Sequence, residues 1–188
     1  FHTLNLICPV PKNNFPFAYK KASLRLVYAM VKIKKAAAKT YLSLGVDETV
    51  YTAIIEACDH ILAGEADDYF VTDAIQGGAG TSLHMNVNEV VARLASARAG
   101  RPVHPNDHVN MAQSSNDVIP AAIHLSASLA LHERLLPALG HLQKTIERRA
   151  SEYRDVVKTG RTHLMDAMPL RLDQELGAWA SQVRDSAE

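Results

Sequence analysis

Residues 118–136, VIPAAIHLSASLALHERLL, are the most informative structural element of this sequence. Six of its positions recur in steps of four and three, which is typical of one seam of a helical bundle; they are Val118, Ala122, Leu125, Leu129, His132 and Leu136. A second series, Ile119, Ile123 and Ala130, is also apolar. We therefore predict a long bundle helix whose second face is covered by further chain or by another copy of the protein.

Other helix signals lie on both sides of this stretch. Pro137 and Gly140 are expected to kink or split the helix before it continues to about Tyr153. Upstream, residues 22–44 are rich in Ala, Leu, Val and Lys, and Gly45 can end that helix. The class predicted from these patterns is mainly α, because no long β-rich run is visible.

Two shorter helices are predicted between residues 45 and 100. Asp47 can cap the first of them, which pairs with the preceding helix as an antiparallel hairpin and closes at Gly64. Its apolar face consists of Val50, Ile54, Ala57 and Ile61. The second runs from about Asn86 to Ala99 and stops at Gly100.

The ends of the remaining elements are predicted from caps and prolines. Asn116 or Asp117 can cap the bundle helix, with Pro120 in its first turn. A short extended piece at 156–157 precedes a last helix from about Pro169 to the end of the chain. The first seventeen residues, which hold three prolines, read as an extended arm.

Composition limits the classes of function. The chain has 20 Lys+Arg, 20 Asp+Glu and 47% apolar residues among 188, which excludes a disordered protein and argues against a nucleic-acid binder. Its two cysteines exclude a disulfide scaffold and fit a reducing compartment. No apolar run approaches the ~20 residues of a membrane span, and no secretory signal is visible. We expect a globular, cytoplasmic protein without membrane or nucleic-acid partners.

Three polar clusters could carry chemistry. Residues 77–82, GGAGTS, could hold an anion at a helix start or be a flexible loop with a hydroxyl cap. Residues 113–117, QSSND, offer several neutral donors for one carboxylate, or an ordinary N-cap. Residues 160–167, GRTHLMDA, could handle protons through His163, or contain a structural histidine.

A metal site is the weaker interpretation of the histidines. His104 and His108 are four residues apart, which resembles the spacing of metal ligands, but Pro105 disfavours helical geometry there. No further cysteine or histidine completes a ligand set. Cys58, on an apolar helix face, is most simply a small core residue.

Taken together and in order, these blocks resemble the fumarase/aspartase superfamily, and specifically the class II fumarases. The matching blocks are GAGTS (78–82), MNVNE (85–89), HPNDHVN (104–110), QSSND (113–117) and GRTHLMDAMP (160–169). The resemblance implies an all-α fold, with a small N-terminal helical domain (1–110, including the arm) and the truncated start of a central helical bundle (111–188). It also implies a homotetramer with active sites assembled from several subunits.

The implied reaction is the reversible hydration of fumarate to (S)-malate, with no metal and no redox cofactor. By resemblance, Thr162 and His163 are catalytic, on the acid or relay side of the chemistry. The substrate binders carried over by motif are Thr81, Ser114, Ser115 and Asn116. A second dicarboxylate position, for which a purely structural role is an open alternative, comprises Arg101, His104, Asn106 and Asp107.

The sequence departs from the family pattern in three places. Ala79 stands where fumarases commonly have Ser, and His84 where the family usually has Asn. The family's mobile loop that carries the general base lies beyond Glu188, so we expect the 188-residue chain alone to be inactive. Two rival interpretations stay open: an aspartate ammonia-lyase, which Ala79 favours and the Ser-Ser-Asn block opposes, and a non-catalytic truncated paralogue that kept the bundle.

Overall fold

The structure, a computed structural model, describes residues 21–75 and 79–188. The predicted arm and the pair Gly77–Gly78 lie outside the described residues. The chain divides into two compact units, Phe1–Ser126 and Ala127–Glu188, each with its own packing.

Six α-helices and one antiparallel strand pair make up most of the described chain. They are α1 (Leu24–Ser43), α2 (Glu48–Leu62), α3 (Thr81–Ala99), α4 (Ser115–Ala130), α5 (Leu136–Glu152), β1 (Val157–Thr162), β2 (Met165–Arg171) and α6 (Leu172–Asp185). The predicted helical class is confirmed, since the strands form only one small sheet. In the part of the chain that the structure describes, no helix has both the length and the apolar character needed to cross a bilayer.

Helices α1 and α2 form the predicted antiparallel hairpin. Tyr41, near the end of α1, lies against Tyr51 of α2 with ring centroids 5.2 Å apart. At the other end, Tyr28 donates a 2.7 Å hydrogen bond to Asp67, just past α2. The end of α1 thus lies beside the start of α2, and the start of α1 lies near the segment that follows α2, as an antiparallel pair requires.

The predicted cap and apolar face of α2 are confirmed. The Asp47 carboxylate accepts the backbone N–H of Val50 at 3.3 Å. The four predicted face residues are no more than 1% exposed: Val50, Ile54, Ala57 and Ile61. Complete burial of four such side chains supplies a large part of the apolar core of the first unit.

Helix α3 begins at Thr81, five residues before the predicted start at Asn86. The residue ahead of it, Gly80, has a left-handed backbone (φ 77°), and Leu83 and His84 are already buried in the first turn. The buried face therefore extends one turn further toward the N-terminus than the apolar pattern indicated. The helix ends at Ala99 before a left-handed Gly100, as predicted.

Helix α4 begins at Ser115, so the predicted caps Asn116 and Asp117 lie inside its first turn. The residue that precedes the helix is Ser114, whose Oγ accepts the backbone N–H of Asn116 at 3.1 Å. Pro120 lies beyond the first turn rather than within it. It has no N–H to donate to the carbonyl of Asn116 one turn earlier.

The predicted break near Pro137 is present in the second unit. A π-helical turn, Leu131–Leu135, separates α4 from α5, and Pro137 lies in the first turn of α5. The proline ring cannot donate to the carbonyl of Glu133, which accounts for a break at this point. Helix α5 then packs against α6.

The hairpin of β1 and β2 was not predicted, and the last helix begins at Leu172 rather than near Pro169. Thr162 pairs with Met165, and a register shift occurs between Thr159 and Arg161. At Gly160, within that shift, a Cβ would lie 2.4 Å from the carbonyl oxygen of Met168. Only glycine permits this close approach of the two strands.

Candidate functional site

Two of the three predicted polar clusters meet in the first unit, at a groove of about 760 Å³. At the start of α3 it is bordered by Gly80 and Leu83, and in the first turn of α4 by Ser115 and Asn116. The neighbouring Thr81 and Ser114, also predicted binders, are not among its lining residues. Its remaining walls are mostly apolar: Ala22, Leu26, Ala74, Ala79, Ile119, Pro120 and Ile123, with Ser23 as a further hydroxyl. Helix N-termini present backbone N–H groups and a partial positive charge, so the groove favours an anion.

A close contact between Gly80 and Ile119 fixes the two helix starts beside each other. A Cβ added at Gly80 would lie 2.9 Å from Cδ1 of Ile119, inside van der Waals contact. Glycine therefore serves two purposes here: it adopts the left-handed φ, and it lets α3 approach α4. Thr81, a predicted substrate binder, is the next residue and is exposed at the first position of α3.

The side chain of Ser115 is hydrogen-bonded to the buried ring of His84. The ring nitrogen Nδ1 of His84 lies 2.7 Å from Oγ of Ser115, and His84 is 0% exposed. Burial lowers the pKa of His84 to about 4, and the positive charge of Lys34 contributes in the same direction. His84 is therefore a neutral imidazole at pH 7, and its hydrogen bond is one between uncharged groups.

Lys34 holds the segment that leads into Ser114. Its Nζ donates to Oδ1 of Asn110 and to Oε1 of Gln113, both at 2.8 Å, and the residue is 1% exposed. Burial lowers the pKa of this ammonium to about 7. The phenol of Tyr41 adds a 2.6 Å hydrogen bond to the carbonyl of Met111.

Lys34 was not predicted as a functional residue, although its position in the sequence carries a signal. It stands in a stripe of buried residues along α1, with Val27 and Val31 before it and Ala38 after it. A lysine in an otherwise apolar stripe is unusual, since lysine is almost never fully buried without partners. Such a position indicates a lysine that is anchored by hydrogen bonds inside the core.

The third cluster forms the tip of the hairpin in the second unit. His163 and Leu164 are its two central turn residues, with φ of 52° and 62°. Thr162 and His163 are exposed, and among the described residues the His163 ring has no side-chain hydrogen bond. Asp166, a possible orienting carboxylate, instead faces Arg161, with Nε and Oδ1 3.9 Å apart.

The residues of the expected second dicarboxylate position lie between α3 and α4, and each already has a partner within the chain. Arg101 is ion-paired with Asp47, the cap of α2. The His104 ring accepts backbone N–H groups of Asn106 and Asp107, at 3.3 and 3.2 Å, and lies 3.1 Å from the Asp107 carboxylate. This geometry fits the structural role that the sequence left open, and it leaves these polar side chains exposed.

His104 and His108, the two histidines considered as metal ligands, are hydrogen-bonded to each other within one turn. Nδ1 of His108 accepts the backbone N–H of His104 at 2.7 Å. Over residues 21–75 and 79–188, no group of three or more His, Cys, Asp or Glu side chains is arranged to hold a metal ion.

Comparisons with known proteins show which family the chain belongs to. A family model described as "Lyase" matches residues 12–188. The chain is 51% identical over 175 residues to a fumarate hydratase class II of Pseudomonas aeruginosa, and 47% identical over 169 residues to that of Thermus aquaticus. These alignments cover 93% and 87% of this chain but only 38% and 36% of those proteins. The chain thus corresponds to an N-terminal portion of its relatives and spans little more than a third of their length.

Solved structures of fumarases and related lyases have the same fold as this chain. The chain matches a class II fumarase from Schistosoma mansoni with a TM-score of 0.85 and 37% identity, over 93% of this chain and 38% of that one. It matches a fumarate lyase:delta crystallin from Brucella melitensis with a TM-score of 0.87 and 40% identity, over 100% of this chain and 44% of that one.

Proposed function

Because this chain belongs to the lyase family whose model spans residues 12–188, we propose that the complete protein is a class II fumarate hydratase, which adds water reversibly to fumarate to give (S)-malate. The observation that carries the proposal is the groove where the first turns of α3 and α4 converge. The names of the relatives, fumarate hydratases, support a four-carbon dicarboxylate as this anion.

In this proposal, the groove binds a substrate carboxylate through uncharged donors and backbone N–H groups. The proposed binders are Ser115 and Asn116, which line the groove, together with Thr81 and Ser114, which do not line it but adjoin lining residues at the starts of α3 and α4. Proton removal next to a carboxylate builds negative charge on that carboxylate, so donors that are fixed beforehand lower the barrier. The rigid support from His84 and Lys34 meets that requirement for Ser115 and for the segment ahead of it.

Thr162 and His163 are proposed to act on the proton-transfer side of the reaction. Their turn is held in an unfavourable backbone conformation, since His163 and Leu164 both have positive φ. Residues kept in such conformations concentrate at functional sites, which supports a role for this tip. Arg101, His104, Asn106 and Asp107 are proposed as a second dicarboxylate position near the surface.

The homotetramer implied by the resemblance and the cytoplasmic location expected from the composition belong to the same proposal. Large apolar side chains on consecutive helical segments support assembly: Ile123 is 50% exposed, Leu131 46%, Leu135 48% and Leu142 45%. Exposed large apolar side chains of this kind are typical of subunit interfaces.

The experiment is an assay of the purified complete protein with malate and aspartate side by side, following the absorbance of fumarate. We expect fumarate from malate and none from aspartate. Fumarate from aspartate alone would replace the hydratase by the ammonia-lyase alternative, which Ala79 favours. Turnover of neither substrate would favour a non-catalytic helical protein.

A further inference from the structure

We propose that His84 is a positioning residue, which donates a hydrogen bond from Nδ1 to Ser115 and thereby turns the Ser115 hydroxyl hydrogen into the groove, toward a carboxylate. The inference rests on the proposed function, in which Ser115 binds substrate. It assigns a role to a residue at which this sequence departs from the pattern of the family it resembles.

The contact between His84 and Ser115 is short, and the His84 ring is entirely buried from solvent. Nδ1 and the Ser115 Oγ are 2.7 Å apart, His84 is 0% exposed, and Ser115 is partly buried at the wall of the groove. The serine oxygen therefore has protein on one side and the open groove on the other. Which way its hydrogen points depends on whether His84 donates or accepts.

The other ring nitrogen decides between these two arrangements. Nε2 of His84 is buried and has no hydrogen-bond partner among the described residues. A proton on Nε2 would leave a buried N–H without an acceptor, which is rarer and less favourable than a buried lone pair without a donor. The single proton of the neutral ring is therefore placed on Nδ1, where it bonds to Ser115.

This assignment determines what the groove can bind. With its oxygen accepting from His84, Ser115 directs its O–H outward as a donor. An ionised carboxylate only accepts hydrogen bonds, so it is the complementary ligand, whereas an ammonium or an amide N–H is not. His84 thus contributes to specificity without touching the substrate.

The test uses two replacements of His84 in the complete protein that differ in which ring nitrogen they imitate. The amide nitrogen of His84→Asn can take the place of Nδ1, and that of His84→Gln can take the place of Nε2. The probe is succinate, a non-reacting four-carbon dicarboxylate, with its Kd measured by calorimetry. We expect His84→Asn to bind within about threefold of wild type and His84→Gln about tenfold more weakly, as loss of one such hydrogen bond predicts.

A double-mutant cycle ties the effect to Ser115. Ser115→Ala is expected to weaken succinate binding about tenfold, and adding His84→Gln to it should cause no further loss. Val91→Ala, a truncation of a buried apolar residue on the same helix, is the matched control: it should lower the melting temperature without changing Kd.

The outcomes separate this inference from the proposed function. Equal affinities of the Asn and Gln variants, or additive losses in the cycle, would overturn the role of His84 while succinate binding by the wild type leaves the proposed function standing. Wild-type protein that binds no dicarboxylate would overturn both.

Discussion

Two basic side chains, those of Lys34 and His84, are enclosed in the first unit, and their chemistry shows how single residues support the groove. Burial lowers the pKa of Lys34 to about 7 and that of His84 to about 4. Each of these buried groups has hydrogen-bond partners near the start of α4. Lys34 donates to the side-chain oxygens of Asn110 and Gln113, and His84 is bonded to the hydroxyl of Ser115. Removing either group would leave buried acceptors or donors unpaired.

His84 is expected to make the folded chain less stable at acidic pH. Its pKa in the folded state is lowered to about 4 from 6.5, so the unfolded chain binds more protons between those values, and stability is lost as the pH falls from 6.5 to 4. We predict that this contribution amounts to about 2 kcal/mol. Urea unfolding of wild type and His84→Asn at pH 7 and at pH 4.5 checks it, and an equal acid loss in both proteins would contradict it.

His163 is expected to affect turnover more than binding. In the complete protein, His163→Asn keeps a polar side chain that tolerates a positive φ but cannot exchange protons near neutral pH. We predict a fall in kcat of about a hundredfold, the usual scale of general acid–base catalysis, with KM changed less than threefold. Steady-state kinetics with fumarate give both constants, and an unchanged kcat would remove His163 from the mechanism.

At the scale of elements, the contact between α3 and α4 depends on Gly80. Gly80→Ala is predicted to destabilise the chain by about 2 kcal/mol, because it adds both an unfavourable left-handed backbone and a Cβ against Ile119. Gly100→Ala is the matched control: its φ of 66° is similar, but nothing lies within 4 Å of the added carbon. Thermal unfolding should show the smaller loss at Gly100, and equal losses would mean that the close packing is unimportant.

The hairpin of the second unit carries strain in its turn. Leu164 has a φ of 62° and is 98% exposed, so its side chain gains little that offsets the unfavourable backbone. Leu164→Gly is predicted to stabilise the hairpin by up to about 1 kcal/mol, and Leu164→Val to weaken it. Protection of the strand amides in hydrogen exchange measures both effects, and protection that falls with Gly would refute the strain.

This turn also explains why the hairpin was not predicted. Two-residue hairpin turns with positive φ usually carry Asn-Gly or Asp-Gly, whereas this one carries His163 and Leu164. Helix α2, by contrast, was predicted with its Asp47 cap and buried face, because those signals are local. The local sequence signals therefore predict α2 correctly, whereas the residues of the hairpin turn give no local signal for the turn that they form.

At the scale of the whole molecule, the chain spans 36–38% of the bacterial relatives named above. Under the proposed function, we predict that the 188-residue chain, purified alone, folds but hydrates fumarate at less than about one thousandth of the rate of the complete protein. The resemblance implies that the general base lies outside these residues, and loss of such a catalytic group costs about 10³ or more in rate. Circular dichroism checks the helices, and absorbance at high enzyme concentration checks the activity. Robust turnover by the short chain would contradict this prediction.

The helical class, the hairpin of α1 and α2, the helix stops at glycines and the family could all be predicted from the amino-acid sequence, because they depend on local periodicity, helix caps and contiguous motifs. The sequence also marked Thr81, Ser114, Ser115 and Asn116, but as two separate clusters. The folded chain shows that Gly80 of the first cluster borders the same groove as Ser115 and Asn116 of the second, and that the buried His84 bonds to Ser115. Those facts depend on packing between residues that are distant in the chain, such as Gly80 against Ile119, and no local pattern encodes which surfaces will meet.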